Sequence, residues 1–182
     1  MMRLAILSLS ALALAACSSE PAPQESADEF ADRIGSGAPG ASATLDPSQP
    51  DPNAPNFATD PPPVGVDLTQ LQRLGDVGGV NLGPRQGGCT FMVDEQELII
   101  AVGMNEPTLP GKAVVRVGNQ LVMADAGPGG LAAIKGGTTF TGEGFTVQVA
   151  PAAGEAQSRP ARVAVSDATG NQQNYSGNWI CA

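Results

Sequence analysis

The sequence predicts an all-β domain over residues 65–182, built as a small antiparallel β-barrel or sandwich of about seven or eight strands. Two observations support this fold class. Twenty of the 23 glycines lie in this part of the chain, and short β-rich runs alternate there with turn residues at close spacing. The strands are expected near Cys89–Val93, Glu97–Val102, Lys112–Val117, Gln120–Ala124, Gly144–Ala150, Ala161–Ser166 and Tyr175–Cys181, with Thr138–Thr141 as a short eighth.

The alternation of side chains assigns the faces of these strands. Ala113, Val115 and Val117 are expected to point into the core. Arg116, which alternates with them, is expected to face water. The run Leu98–Val102 is apolar on both faces, which predicts a strand that is central or covered by a loop.

Local signals predict how the strands are entered and joined. Asp67–Leu74 is expected to form one or two turns of helix, with Asp67 as its cap and Gly75 as its stop. Gly118-Asn119 lies between two apolar runs and predicts a two-residue hairpin turn. Pro128-Gly129-Gly130 and Ile134-Lys135-Gly136-Gly137 are interpreted as turns as well.

Residues 1–16 are typical of a cleaved export signal. Arg3 gives a positive start, and residues 4–16 are almost wholly apolar. As a helix this run would rise about 20 Å, less than the roughly 30 Å of a bilayer's hydrocarbon core. It ends in Leu14-Ala15-Ala16-Cys17. An ordinary secretory signal with a chance cysteine is the alternative.

Leu14-Ala15-Ala16-Cys17 resembles the lipobox of bacterial lipoproteins, in which small residues precede the cysteine that accepts lipid. The resemblance implies a triacylated, palmitate-type anchor on Cys17, and two or more acyl chains hold a protein stably on a membrane. Ser18 follows Cys17, and in Gram-negative lipoproteins a residue other than aspartate there implies transfer to the outer membrane. The expected location is therefore the periplasmic face of the outer membrane.

Residues 17–64 are expected to be the lipidated cysteine followed by a disordered tether. The segment 18–64 holds ten of the sixteen prolines, and eight acids against the single base Arg33. Such a composition cannot bury enough apolar surface to offset the entropy of ordering. A coil of this length spans on the order of 40 Å on average.

One segment of this tether departs from the pattern. Ser26–Glu29 has the capping-box spacing, and Phe30, Ala31 and Ile34 fall on one helical face. A short helix over 26–34 is therefore predicted. It is either a docking element, against a partner or the domain's own surface, or a fraying turn without a role.

The two remaining cysteines are expected to pair. An exported protein folds in an oxidising compartment, and lipid consumes Cys17, so an even pair is left. The sequence predicts a Cys89–Cys181 disulfide, with two buried free thiols as the alternative. Because the bridge would join the first confident strand to the last, the two ends of the meander must meet.

Composition argues against several classes of function. The chain has no histidine and a net charge of −9, so the commonest general base is absent and nucleic acid is disfavoured. No Ser-x-x-Lys motif occurs. Asp94, Glu95 and Glu97 lack the alternating ligand loop of a calcium site and are interpreted as a solvated turn. The chain is therefore expected to be no enzyme and to hold neither metal nor cofactor.

A non-catalytic module that binds or organises an envelope component, protein or glycan, is the favoured function. A recognition surface could gather on the last hairpin from Arg159, Arg162, Asn174, Tyr175, Asn178 and Trp179. We favour a simpler interpretation of two of these residues, in which Tyr175 and Trp179 are large residues of the core.

The general plan also resembles the membrane-bound inhibitors of c-type lysozyme, which present a small disulfide-closed β-barrel on a lipid anchor. The resemblance covers this architecture and the placement of Cys89 and Cys181. It implies periplasmic inhibition of lysozyme-like hydrolases as the alternative function. Tyr175-Ser176-Gly177 departs from the Ser-Gly-x-x-Tyr loop of that family in its order.

Overall fold

The structure is a computed structural model that describes residues 54–59 and 61–182. Cys17 and the segment 26–34, with Phe30, Ala31 and Ile34, lie outside these residues. Within them, no helix has both the length and the hydropathy needed to cross a membrane. The elements are β1 (Ala58–Thr59), β2 (Gly87–Val93), β3 (Gln96–Gly103), β4 (Pro110–Val117), β5 (Gln120–Pro128), α1 (Gly130–Gly136), β6 (Thr139–Gly142), β7 (Phe145–Pro151), β8 (Ser158–Asp167) and β9 (Gln172–Cys181).

The strands β2 to β9 form a closed antiparallel barrel of eight strands. Each pairs with the next in the chain, β5 reaches β6 through two residue pairs, and β9 returns to β2. The all-β prediction is confirmed, and of its two architectures the barrel is the one observed. The expected short eighth strand is present as β6.

The strand β1 was not predicted, and it lies in the part of the chain expected to be a tether. It pairs in parallel with Leu121 and Val122 of β5, whereas β6 pairs with β5 only at Asp125 and Ala126. β1 therefore supplies hydrogen-bonding partners to the half of β5 that β6 does not reach, and ordered structure begins before residue 65.

The predicted disulfide is present between Cys89 and Cys181. The two residues are direct partners in the β2–β9 ladder, with their Cα atoms 4.0 Å apart. Ala182 N–H donates to the carbonyl of Gly88, so the neighbouring pair Gly88–Ala182 is hydrogen-bonded. Hydrogen-bonded and non-hydrogen-bonded pairs alternate along an antiparallel ladder, which makes Cys89–Cys181 a non-hydrogen-bonded pair, the kind in which side chains approach more closely. The bridge closes the barrel where its first and last strands meet.

The helix α1 is a correction to the sequence analysis, which predicted no helix here and interpreted Ile134–Gly137, most of which belongs to α1, as a turn. Leu131 and Ile134 form its buried face, one helical turn apart. A Cβ atom at Gly103 or Gly111 would lie only 2.7 or 2.6 Å from Ile134 Cδ1. Glycine on β3 and β4 therefore makes room for the helix, which packs across one end of the barrel.

The predicted helix over Asp67–Leu74 is wrong. A helix would need the amides of Leu71, Gln72 and Leu74 for its own bonds. Instead Leu71 N–H donates to Tyr175 Oη (2.8 Å), Gln72 N–H to the carbonyl of Arg116 (2.9 Å) and Leu74 N–H to that of Glu97 (2.8 Å). Contacts with the barrel replace the helical bonds, and the segment runs extended across the barrel's hairpin end.

The outward faces of β3, β4 and β5, which we call the covered wall, carry a second apolar cluster. Val102, Val114 and Leu121 point outward and are buried beneath Leu74 and Leu82. This explains why Leu98–Val102 is apolar on both faces, as predicted for a covered strand. The segment 74–82 thus serves as a second layer outside this wall.

Arg116 corrects the prediction that it faces water, since its side chain is 1% exposed. Within the described residues its guanidinium donates only to backbone carbonyls, which belong to Leu74 (2.8 Å), Asn119 (2.8 Å), Pro55 (3.2 Å) and Asp76 (3.4 Å). Burial lowers the pKa of Arg116, while the nearby Asp76 carboxylate opposes that shift. One side chain of β4 therefore holds the segments before and after residue 60 on the covered wall.

Replacing Arg116 by methionine should destabilise the fold by about 2–4 kcal/mol, because buried carbonyls lose their donors. Urea unfolding, followed through the single tryptophan Trp179, measures the change. Lys112→Met is the matched control. It removes a cation from the same strand whose bond to Asp125 is exposed (2.8 Å), and should cost less than about 1 kcal/mol. Equal stability of the two variants would contradict the role given to Arg116.

Candidate binding surface

The barrel interior is packed with side chains. Large residues such as Phe91, Phe140 and Trp179 are fully buried in one continuous cluster that reaches from β2 round to β9. Trp179 Nε1 donates to the carbonyl of Ile134 (3.0 Å), which ties α1 to the core at one end. With its interior filled, the barrel can present a binding surface only on its outside.

Tyr175 fixes the segment that crosses the opposite end. Its hydroxyl donates to the carbonyl of Thr69 (2.7 Å) and accepts from Leu71 N–H (2.8 Å). The Asp67 carboxylate accepts from the amide (2.9 Å) and the hydroxyl (2.6 Å) of Thr69 and so shapes the turn that presents this carbonyl. The phenol is thus occupied by the protein's own backbone.

The outward faces of β7, β8 and β9, which we call the open wall, are not covered by any described segment. Alternation with the buried Val147, Val163 and Trp179 directs their neighbours outward. The outward residues are Thr146, Gln148, Ala150, Ser158, Pro160, Arg162, Ala164, Ser166, Gln172, Asn174, Ser176, Asn178 and Ile180. Apart from Arg162 they are uncharged, and most carry amide or hydroxyl groups.

Strand register arranges the open wall in rows. Gln148, Ala164 and Asn174 are partners across β7, β8 and β9, and so are Ala150, Arg162 and Ser176. The second row borders a shallow groove of about 320 Å³, which includes Pro151 and Pro160. Arg162 therefore places one cation beside a groove in an otherwise neutral, hydrogen-bonding surface.

The structure divides the predicted recognition residues into two groups. Arg162, Asn174 and Asn178 are exposed on the open wall, as required of a surface site. Tyr175 and Trp179 point inward, which confirms the interpretation that they belong to the core.

Arg159, the remaining member of that set, has a structural role. Its guanidinium donates to the carbonyls of Ala152 (3.2 Å) and Gly154 (3.0 Å) in the β7–β8 loop, and to that of Lys135 at the end of α1. An arginine on the last carbonyls of a helix is favourable. Arg159 therefore joins the loop to the helix.

The acidic residues considered for calcium lie at the tight β2–β3 turn. Asp94 and Glu95 both have positive φ values, 46° and 66°, as the two central residues of a type I′ turn require. Glu97 lies beyond the turn, on β3, and is exposed. Among residues 54–59 and 61–182, no group of three acidic, cysteine or histidine side chains is placed to hold a metal ion.

Tyr175→Phe should lower the free energy of unfolding by about 1–2 kcal/mol, because the Thr69 carbonyl and the Leu71 amide lose their partner. Burial, the largest cause, raises the pKa of Tyr175 in the folded protein. A tyrosine pKa raised by folding stabilises the protein below about pH 10, and this contribution is lost as the pH rises through the folded-state pKa. Urea titrations at pH 8 and pH 11 should therefore show that the free energy of unfolding falls more between these two pH values for the wild type than for the variant. Parallel losses would contradict this role.

Comparison with models of known protein families finds no match, and neither the search of curated proteins nor that of solved structures finds one. The open wall, which gathers Arg162, Asn174 and Asn178 on one face, is therefore the feature on which a functional interpretation rests.

Proposed function

We propose that this chain is a lipid-anchored envelope protein whose barrel is a non-catalytic module that binds another envelope component through the open wall. The observation that carries this proposal is the difference between the two walls. The covered wall is occupied by the chain itself, with Leu74 and Leu82 over its apolar residues. The open wall has no such layer within the described residues, although two of its strands, β8 and β9, have 10 residues each and are longer than any strand of the covered wall.

The chemistry of the open wall suits recognition. Its amide and hydroxyl side chains, such as Gln148, Asn174 and Asn178, donate and accept hydrogen bonds without the desolvation cost of charges. Arg162 adds a planar, five-donor cation, a residue type enriched in binding sites. A filled barrel beneath this wall keeps the side chains in fixed rows, which limits the entropy lost on binding.

The lipid anchor belongs to the same proposal. Leu14-Ala15-Ala16-Cys17 supports acylation of Cys17 after cleavage of residues 1–16. The described structure begins at residue 54, which is 36 positions after Ser18 in the sequence. A segment of that length lets the barrel reach partners well beyond the membrane surface.

Cys17→Ser should abolish incorporation of radiolabelled palmitate and move the protein from the membrane fraction to the soluble fraction. The serine hydroxyl does not replace the thiol in the lipid-transfer step. Fractionation and mass spectrometry of the purified chain measure the two effects. Normal processing of the variant with retention in the membrane, or a wild-type chain without fatty acid, would contradict acylation.

Crosslinked capture from cells tests the binding function. Ala164→Glu places a charge at the centre of the open wall and should remove a specific partner from the captured set. Ala132→Glu is the matched control, because Ala132 is exposed on α1, and it should capture the same partner as the wild type. Absence of any specific partner, or equal capture by both variants, would overturn the proposal, as would hydrolytic activity intrinsic to the pure chain.

Inhibition of a lysozyme-like hydrolase is the second candidate, favoured by the disulfide that closes the barrel between Cys89 and Cys181. Tyr175, however, is engaged with Thr69 and Leu71, so its phenol is not free to enter an enzyme cleft. Sub-micromolar inhibition of c-type lysozyme by the full chain would favour this candidate over the first.

A further inference from the structure

The last strand of the barrel extends past one of its two neighbours. β9 pairs with β8 along Gln172–Ile180, but with β2 only along Asn178–Cys181. On the side that faces β2, residues Gln172–Gly177 therefore have no strand partner among the described residues. We call this side of Gln172–Gly177 the β9 edge.

The backbone groups at the β9 edge can be assigned from the neighbouring bonds. Ala182 N–H donates to the carbonyl of Gly88 on the β2 side (3.0 Å), and Cys181 N–H donates to that of Gln157 on the β8 side (2.8 Å). Alternate residues of an antiparallel strand direct their backbone groups to opposite sides. The amides and carbonyls of Asn174 and Ser176 therefore face the β9 edge, and no backbone hydrogen bond joins them there to any described residue.

A crevice lies beside this edge. It has a volume of about 230 Å³. Leu71, Val93, Leu98 and Tyr175 form the apolar part of its lining, and the polar part comes from Gln72, Arg73, Asp94 and Gln96. A strand laid along β9 would direct every second side chain towards the barrel end, where the crevice opens. The crevice can thus receive an apolar side chain from such a strand.

The barrel already fills a similar gap elsewhere. Where β5 extends past β6, the short strand β1 pairs with Leu121 and Val122. Proteins usually protect exposed strand edges with charged residues or proline. The β9 edge, Gln-Gln-Asn-Tyr-Ser-Gly, has neither, so both its backbone and its sequence are open to another strand.

Charge and composition favour a separate polypeptide as the occupant. Two copies of this chain, each with a net charge of −9, repel one another. The chain's own residues 18–53 hold six prolines, which cannot donate to a strand ladder. Their longest stretch without proline, residues 24–38, contains the segment with helical spacing.

We propose that the β9 edge binds an extended segment of another polypeptide as an additional β-strand, with one apolar side chain of that segment in the crevice. This deepens the proposed binding function and rests on it. Backbone bonds to Asn174 and Ser176 supply affinity in this mode of recognition, and the crevice supplies specificity.

Two variants at one position test the proposal in the purified full chain. Ser176→Pro removes the edge amide without removing any described hydrogen bond, whereas Ser176→Ala keeps it. The probe is a fluorescent ten-residue peptide of alternating valine and threonine with one central phenylalanine. Anisotropy should show at least tenfold weaker binding to Ser176→Pro than to the wild type, with Ser176→Ala unchanged. A peptide N-methylated at alternate amides should not bind the wild type, which keeps the test valid if Ser176→Pro fails to fold.

Several results would overturn the proposal: no binding of the peptide, equal binding to both variants, binding of the N-methylated peptide, or dimerisation of the chain through this edge in sedimentation. Removal of residues 18–53 that strengthens peptide binding would identify the chain's own segment as the occupant. Capture from cells separates the two proposals. A partner retained by Ser176→Pro overturns strand addition and leaves the binding function intact, whereas peptide binding without any cellular partner overturns only the binding function.

Discussion

The bonds between the Arg116 guanidinium and four backbone carbonyls determine how the rest of the chain lies against the barrel. They draw Pro55, Leu74 and Asp76 to the outside of β4, so that apolar residues can be buried on both faces of the covered wall. A buried cation without a carboxylate partner is costly unless its donors are satisfied. Carbonyl groups of the crossing segment satisfy them, and the segment is held in return. Among the described residues, no such layer lies over the outward faces of β7, β8 and β9.

A second arginine donates to backbone carbonyls at the α1 end of the barrel. Arg159 joins the β7–β8 loop to the end of α1 through carbonyl groups, and Trp179 donates to the carbonyl of Ile134. The chain has only one tryptophan and one tyrosine. The indole N–H of Trp179 and the hydroxyl of Tyr175 each bond to a backbone carbonyl and so help to fix the irregular segments. The contacts of Arg159 and Trp179 close the α1 end of the barrel, while the segment that contains Leu71 crosses the hairpin end.

Alternation and turn residues were sufficient to predict the strands β2 to β9 and the Gly118-Asn119 turn, because these features depend on local period. The Cys89–Cys181 bridge was predicted from the even pair of cysteines that remains when Cys17 is set aside. The segment Asp67–Leu74 was predicted wrongly because its amides bond to distant groups, which local helix signals cannot reveal. Arg116 was placed in water because alternation identifies the outward face but not whether another segment covers it. α1 was missed since glycines flank a single turn of Leu131 to Ile134. The β9 edge follows from unequal strand lengths, which no local pattern records.

Amide hydrogen exchange of the full chain, resolved by residue, tests this arrangement most directly. The amides of Gln72 and Leu74 bond to the barrel, and that of Tyr175 faces β8, so all three should exchange slowly. Asn174 and Ser176, on the same strand as Tyr175, should exchange faster by at least tenfold. Slow exchange at Asn174 and Ser176 would mean that the β9 edge is covered. Fast exchange at Gln72 and Leu74 would mean that the Arg116 contacts do not hold the segment on the barrel.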